Sequence, residues 1–277
     1  MKFFLKSRDF AVSGESFELY LNEELDMLFT KPRPSSLDSY YESNDYISHT
    51  DARGGIVNNL YQLVKWLSLG RKLKLIQPYY GSNASILDIG AGTGDFVSTA
   101  LKGGWQAIGV EPNKKAREKA RIKGVELSES LEEVIGSFKV ITLWHVLEHL
   151  PDLEREIDRM VSRLEPEGKL ILALPNFRSW DAKHYGEYWA AYDLPRHLWH
   201  FSRISIAELF GRRGFEILQI SPLWFDAFYI SLLSEKYRNS KFRLIKAFIN
   251  GCRSNLSALG NGEFSSLIYI LQKARKA

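Results

Sequence analysis

The sequence predicts an α/β fold, a doubly wound, mostly parallel sheet with helices on both faces. Three observations carry the prediction. From residue 85 onward, short apolar runs alternate with helical patterns. Alternation of this kind covers a parallel sheet on both sides. The first apolar run leads straight into a glycine-rich turn, Gly90-Ala-Gly-Thr-Gly94, and a helix follows. Such sheets bind ligands beyond the carboxyl ends of their strands, so site residues are expected after strands one, two, four and five.

Taken in order, residues 1–54 read as a polar, aromatic N-terminal extension. The Phe17–Leu21 run suggests a hairpin, and Lys31-Pro-Arg-Pro-Ser-Ser36 is rich in turn formers. Leu60, Leu63, Val64 and Leu67 recur at helical spacing, which predicts a helix within residues 55–84. The main domain, 85–277, begins with strand Ser85–Ile89, helix Asp95–Lys102, strand Gln106–Val110, helix Asn113–Lys123 and a weak third strand at Val125–Leu127. Strand four is Val140–Leu143, followed by a helix at Leu153–Leu164 and strand five at Gly168–Leu174. A helix at Ser202–Arg213 carries a capping box, Ser205 with Glu208. Strand six is Phe215–Ile220 and strand seven Ser265–Leu271, with a helical insertion, 223–262, between them.

Composition bounds the function. The 277 residues are 45% hydrophobic and 25% charged, an ordinary globular balance. A net charge of +4, from 37 basic and 33 acidic residues, is too small to imply nucleic acid. The single cysteine, Cys252, excludes an internal disulfide and a cysteine-based metal cluster. The apolar run at the start is too short for a secretory signal, and no run of about 18 apolar residues occurs, so a cytoplasmic protein with no membrane span is expected.

The motif richest in chemistry is Ile86-Leu-Asp-Ile-Gly-Ala-Gly-Thr-Gly94. Asp88 lies near the end of a buried strand, and Gly90, Gly92 and Gly94 let the chain turn sharply while a ligand approaches main-chain N–H groups. The second strand runs into Gly109-Val-Glu111, and an acidic residue there can accept hydrogen bonds from ribose hydroxyls. A dinucleotide loop would read G-x-G-x-x-G, but Asp95 stands where its last glycine would be. Negative charge from Asp88 and Asp95 would repel a pyrophosphate and suit a sulfonium cation. The loop therefore favours S-adenosylmethionine over a nicotinamide dinucleotide, with an NAD(P)-dependent oxidoreductase as an alternative.

At these residues the chain resembles the class I S-adenosylmethionine-dependent methyltransferases, and within them the bacterial group that includes ubiquinone-biosynthesis O-methyltransferase-like proteins. The resemblance is carried by ILDIGAGTGDF (86–96), IGVEPN (108–113), FKVITLWHVLEHLPD (138–152) and GKLILALPN (168–176), in the family's order and spacing. Lys139 departs from the Asp that often precedes the fourth strand. The resemblance implies a Rossmann-like sheet of seven strands, the last antiparallel, with the 55–84 helix covering the cofactor. It implies that Asp88, Gly90 and Gly92, with Ala91 and Gly94 of the same loop, line the methionine end of S-adenosylmethionine. Glu111 would hold the ribose, Pro112 and the loop at Leu131 would border the adenine, and Leu143, Trp144 and His145 would run under the methionine portion. The same residues suit a catalytically silent binding protein, because cofactor contacts alone do not prove chemistry.

Strand four is followed by His145-x-x-Glu148-His149, whose side chains share a face on a helical turn and suit a divalent metal or a general base. The segment is similar to the E-x-x-E-H of ubiquinone O-methyltransferases and small-RNA methyltransferases, where a metal can bind. Here His145 replaces the first acid, which weakens an oxygen-rich site, and no metal is assigned. The acceptor is expected at the aromatic- and histidine-rich stretch from Trp180 to Phe201. His197, His149 and His200 are the candidate bases for a hydroxyl acceptor, His197 first. The 223–262 insertion is expected to cap the pocket of an aromatic or lipid-like small molecule, and its amphipathic pattern also suits peripheral membrane contact. The basic residues of Lys114–Lys123 read as a solvated face. Relatives can carry a zinc-ribbon-like hairpin at the N-terminus, but no cysteine precedes Cys252, so no zinc is expected.

Overall fold

The computed structural model describes residues 1–37, 40, 69–81 and 83–274. The leucine-patterned residues 60–67 of the expected N-terminal helix lie outside the described residues; the described helical stretch there is 69–80. In chain order the elements are β1 (Lys2–Arg8), β2 (Ser16–Asn22), β3 (Met27–Lys31), the helical stretch 69–80, β4 (Ser85–Ile89), α1 (Asp95–Lys102), β5 (Gln106–Val110) and α2 (Lys114–Ile122). They continue with β6 (Phe138–Trp144), α3 (Leu153–Val161), β7 (Leu164–Pro175), α4 (Trp180–Tyr185), β8 (Trp199–His200), α5 (Arg203–Gly211), β9 (Phe215–Pro222), α6 (Asp226–Tyr237), α7 (Arg243–Asn261) and β10 (Ser266–Lys273).

The larger sheet has the order β5-β4-β6-β7-β10-β9. β4 pairs in parallel with β5 from Ser85↔Gln106 to Ile89↔Val110, and with β6 from Ile86↔Val140 to Ile89↔Leu143. The chain thus leaves β4 on one side and returns on the other, and the crevice at that reversal is where such sheets take ligands. Ile86, Leu87, Val140, Ile141 and Leu143 have no exposed surface, as strands covered on both faces require.

Among the described residues this sheet has six strands rather than seven. The expected third strand, Val125–Leu127, contributes only an isolated parallel bridge, Val110↔Ser128. The Ser128 amide donates to the Gly109 carbonyl and the Glu111 amide to the Ser128 carbonyl, each at 2.9 Å. Gly124, at φ 76°, turns the chain just before this segment, so only one bridge's worth of pairing forms. The capping box also differs. The Ser202 hydroxyl accepts from the Ser205 amide and the Ser205 hydroxyl from the Ser202 amide, because α5 begins at Arg203 and Ser202 is its cap.

The chain forms two compact units. One comprises Ser48–Val146, Asp152–Leu172 and Ile270–Ala277, and it holds the glycine loop with β4, β5 and β6. The other comprises Met1–Ile47, Leu147–Pro151 and Ala173–Tyr269. In this second unit the N-terminal extension is a full antiparallel sheet, β1-β2-β3, continued by β8 through Leu28↔His200 and Phe29↔Trp199. Its core packs Phe17, Leu19 and Leu28 with Tyr185, Trp189 and Tyr192. The expected insertion is α6 and α7, between β9 and β10 in sequence. Asp181, fully buried, accepts hydrogen bonds from Trp189 Nε1, Ser254 Oγ and Ser265 Oγ, which tie α4 to α7 and satisfy the carboxylate. No described helix is long and apolar enough to cross a membrane.

Candidate cofactor loop and histidine cluster

The glycine loop is held by its own backbone. Gly90 and Ala91 both donate to the Val110 carbonyl, at 2.8 and 2.9 Å, and Gly94 donates to Ala91 O at 2.9 Å. Gly90, Gly92 and Gly94 all have positive φ (70°, 55° and 73°), a region that costs a side chain strain. Their surroundings differ. A Cβ on Gly90 would stand 2.4 Å from Val146 Cγ2, and one on Gly94 3.0 Å from the Ala120 Cβ. A Cβ on Gly92 would meet nothing within 4 Å. Two of the glycines serve packing, and the third faces open space at the ligand end of the sheet.

Glu111 bonds to this loop. Its Oε2 accepts from the Gly92 amide at 2.8 Å and its Oε1 from the Asn113 amide at 2.9 Å. Each oxygen keeps a lone pair for a ligand hydroxyl. Arg117, on the face read as solvated, donates to the Glu111 and Pro112 carbonyls and to the Glu129 carboxylate. It fixes the path of the loop after β5. Gly109 is also essential: a Cβ there would lie 2.5 Å from Leu127 Cδ2 and 2.9 Å from the Ala91 Cβ.

Asp88 sits beneath the loop, 2% exposed, and accepts from Thr142 Oγ1 at 2.6 Å. Burial pushes its carboxyl up to about 7, opposed by the Thr142 hydrogen bond and the Lys72 charge and assisted by Glu111. Lys72, on the 69–80 helix, lies 4.1 Å from the centre of the Trp144 ring, and Phe96 meets that ring edge-on. Trp144 Nε1 is buried with no hydrogen-bond partner, a donor that ordinarily has one. Next to it His145 adopts φ 58°, an uncommon conformation for a side chain of its size. Leu143 is buried in the strand, Leu131 is buried on a short 3-10 turn, and Pro112 is exposed. Asp95, by contrast, is answered within the protein: Lys123 Nζ donates to Asp95 Oδ1 and to Thr93 Oγ1, both at 2.9 Å. The charge argument against a pyrophosphate is correspondingly weaker than the sequence suggests. An open Gly92, the lone pairs of Glu111 and the orphaned Trp144 donor fit a nucleoside with an amino-acid tail.

His149, His197 and His200 lie in the other unit. Glu148, His149 and His197 offer ligand atoms within 4.8 Å of one another, and the two imidazoles meet edge-to-face at 4.6 Å. His149 Nδ1 lies 3.1 Å from the Arg196 carbonyl and His197 Nδ1 2.9 Å from the Ala191 carbonyl. A carbonyl can only accept, so each Nδ1 carries a proton, and in the neutral imidazole Nε2 is the nitrogen with the lone pair. Two such imidazoles and a carboxylate are a donor set that can hold a divalent cation. His145, grouped with Glu148 and His149 in the sequence, is not part of this cluster; its place is taken by His197, some fifty residues on. The Thr30 hydroxyl donates to the His197 carbonyl at 2.6 Å, so the His200 Nε2 at 3.1 Å must donate to Thr30. Burial, then the neighbouring His197 imidazole, lowers His149 to about 4 and takes His200 well below the ordinary imidazole range. Both are neutral at pH 7.

The loop carrying His197 is pinned by Arg196. Its guanidinium, 1% exposed, donates to both Asp193 oxygens and to Asp9 Oδ1. Burial works against the Asp193 charge, yet Arg196 holds that carboxyl below its ordinary range. Leu198 N donates to Glu148 O at 2.8 Å, which joins the two histidine segments. Sequence reasoning missed Lys72 and Thr142 around the glycine loop, named Gly109 only as part of the second-strand motif and read Arg117 as part of a solvated face. In the second unit it missed Thr30 and Asp9.

A mostly parallel sheet of this order with a glycine loop after its central strand and an acidic residue after the next is the fold of the class I S-adenosylmethionine-dependent methyltransferases. The chain belongs to the methyltransferase-domain family that matches residues 62–220, more than half its length. The ubiquinone biosynthesis O-methyltransferase of Xanthomonas oryzae is 30% identical over 106 residues, which are 34% of this chain and 44% of that protein. The chain thus matches less than half the length of these curated relatives. Among solved structures, the magnesium protoporphyrin IX methyltransferase of Synechocystis with bound S-adenosylhomocysteine has a TM-score of 0.59 at 12% identity, covering 87% of this chain and all of that one. It has also been solved with S-adenosylmethionine, the cofactor of this class. A [4+2]-cyclase has a TM-score of 0.51 at 17% identity, covering 74% and 82%. At such identities the likeness is one of fold, and one fold carries several chemistries.

Proposed function

We propose that this protein transfers the methyl group of S-adenosylmethionine to a hydroxyl of a small aromatic or lipid-like molecule. The observation that carries the reading is the Gly92–Glu111 arrangement, an open glycine whose amide is oriented by a carboxylate with lone pairs to spare. Glu111 takes the ribose hydroxyls, Pro112 and Leu131 border the adenine, and the loop Gly90-Ala91-Gly92 with Gly94 lies along the methionine end. Asp88 and Trp144 Nε1, with Leu143 and His145 beside them, meet its charged amino-acid group. When bound, the cofactor supplies an electrophilic methyl on a positively charged sulfur. An in-line transfer of that methyl to the acceptor oxygen would release S-adenosylhomocysteine, and His197 Nε2 would take the hydroxyl proton. Positioning provides most of the rate in such an in-line displacement, and the base is needed because a neutral hydroxyl is a weak nucleophile.

His197 leads among the histidines because Ala191 fixes its tautomer and the Asp193 carboxylate lies 3.9 Å from Nε2, where it stabilises an imidazolium. His149 and His200 are buried and resist protonation, so they orient the cluster and stand behind His197 as bases. Support for an oxygen acceptor comes from the curated relatives, which are O-methyltransferases by name. A binding protein without turnover is the second reading, because cofactor contacts alone do not prove chemistry. Methyl release from S-adenosylmethionine into a panel of phenols, catechols and lipid alcohols separates the two. Turnover with at least one of them supports the transferase, and tight S-adenosylhomocysteine binding with no turnover supports the second reading.

A further inference from the structure

Helix α7 is built inside out. Its buried residues are small or polar: Ala247, Asn250, Gly251, Ser254, Asn255 and Ala258. Gly251 lies against α6, where a Cβ would stand 2.5 Å from the Phe228 ring, so close packing of the two helices keeps this face small. The outward residues are large and apolar. Leu244, Ile245, Phe248, Leu256 and Leu259 are each at least 60% exposed, and Ile249 is 43% exposed. At about 100° per residue these six fall within one arc of roughly 140°, which adjoins the buried arc on the side of Asn255. Lys246 and Arg253, both exposed, border the arc on one side. Between Glu235 and Glu263 the chain has six basic residues, Lys236, Arg238, Lys241, Arg243, Lys246 and Arg253, and no acidic one.

A contiguous exposed apolar patch rimmed by charge marks a docking site. Its charge selects the occupant. A second copy laid face to face on α7 would set two unbalanced cationic rims against each other, whereas an anionic lipid surface complements them and accepts the apolar arc. We propose that α7 docks on an anionic bilayer, lying in the plane of the interface, with the leucines, isoleucines and Phe248 among the acyl chains and the basic residues against the headgroup phosphates. The helix is too polar to span. The inference stands apart from methyl transfer and survives or fails without it.

The test is sedimentation of the full chain with vesicles of equal parts phosphatidylglycerol and phosphatidylcholine, beside vesicles of phosphatidylcholine alone. Binding to the anionic vesicles is expected to be about tenfold tighter or more and to weaken with added salt, as an apolar-plus-electrostatic contact requires. The double variant Ile245→Glu/Leu256→Glu, whose changes lie at exposed positions, is expected to lose about tenfold or more in vesicle affinity while its melting temperature stays that of the parent. Equal affinity of parent and variant, or a parent that ignores anionic vesicles, overturns the proposal. So does a parent dimer that the double variant makes monomeric, which would assign the face to a second copy.

Discussion

The Gly92 amide donates to the Glu111 carboxylate at 2.8 Å, so the tip of the glycine loop and the end of the second core strand are fixed to each other before any ligand arrives. Loss of that acceptor leaves an amide without its partner and removes the ribose contact together. Glu111→Ala is expected to weaken S-adenosylhomocysteine binding by about ten- to a hundredfold, the equivalent of roughly 1.5–3 kcal/mol for a charge-assisted hydrogen bond. Titration calorimetry of the parent and the variant measures it, and an unchanged dissociation constant contradicts the ribose assignment.

The glycines of the loop are expected to fail in different ways. Gly90→Ala drives a Cβ into Val146 at a positive φ, so stability falls by about 2–4 kcal/mol. Gly92→Ala meets no protein atom, so its cost is backbone strain of roughly 1–2 kcal/mol. Gly92→Arg fills the open side and abolishes cofactor binding in a protein that still folds. Thermal melts and S-adenosylhomocysteine titrations on the three variants separate packing from ligand contact. A Gly92→Arg variant that binds normally places the ligand elsewhere.

Buried Asp88 and buried His149 pull stability in opposite directions with pH. Asp88 titrates near 7 in the folded protein against 3.8 when unfolded, so the folded state holds the extra proton across that window. Its burial therefore costs stability as pH rises from about 4 to about 7, and the full cost persists above. His149 titrates near 4 folded against 6.5 unfolded, so the unfolded state holds the extra proton and stability falls as pH drops through that range. Asp88→Asn should gain melting temperature relative to the parent at pH 8 more than at pH 5. His149→Gln should flatten the acid side of the stability curve. Melting curves from pH 4 to pH 8 check both signs.

The histidines divide by role. His197→Gln is expected to lower kcat by about a hundredfold or more with cofactor affinity unchanged, as loss of a general base does. His200→Gln, which keeps a donor toward Thr30, should cost less. Single-turnover methyl transfer at saturating cofactor provides the comparison. If the three histidines prove equally dispensable, none of them is the base.

The sheet and the glycine loop were legible because period and composition write them locally: β4, α1 and β5 begin and end where the apolar runs and glycines say. The third strand was over-read, because three apolar-leaning residues look like a strand but pair only once beside Gly124. The capping box was misplaced by one turn, because Ser202 and Ser205 satisfy the same pattern as Ser205 and Glu208. The histidine cluster was half legible. Glu148 and His149 announce themselves as neighbours, but what joins them to His197 is tertiary: Arg196 bridges Asp193 and Asp9, and Thr30 reaches the His197 carbonyl from β3. No spacing rule links positions 9, 30 and 196. Arg117 was read as solvated for a similar reason, since only the fold brings its guanidinium under the Glu111 carbonyl.

The most direct test is calorimetric titration of the purified chain with S-adenosylhomocysteine and, separately, with NADH. The account predicts saturable one-to-one binding of the sulfur nucleoside, lost in Gly92→Arg, and no heat from the dinucleotide. Binding of NADH instead, or of neither, would contradict it.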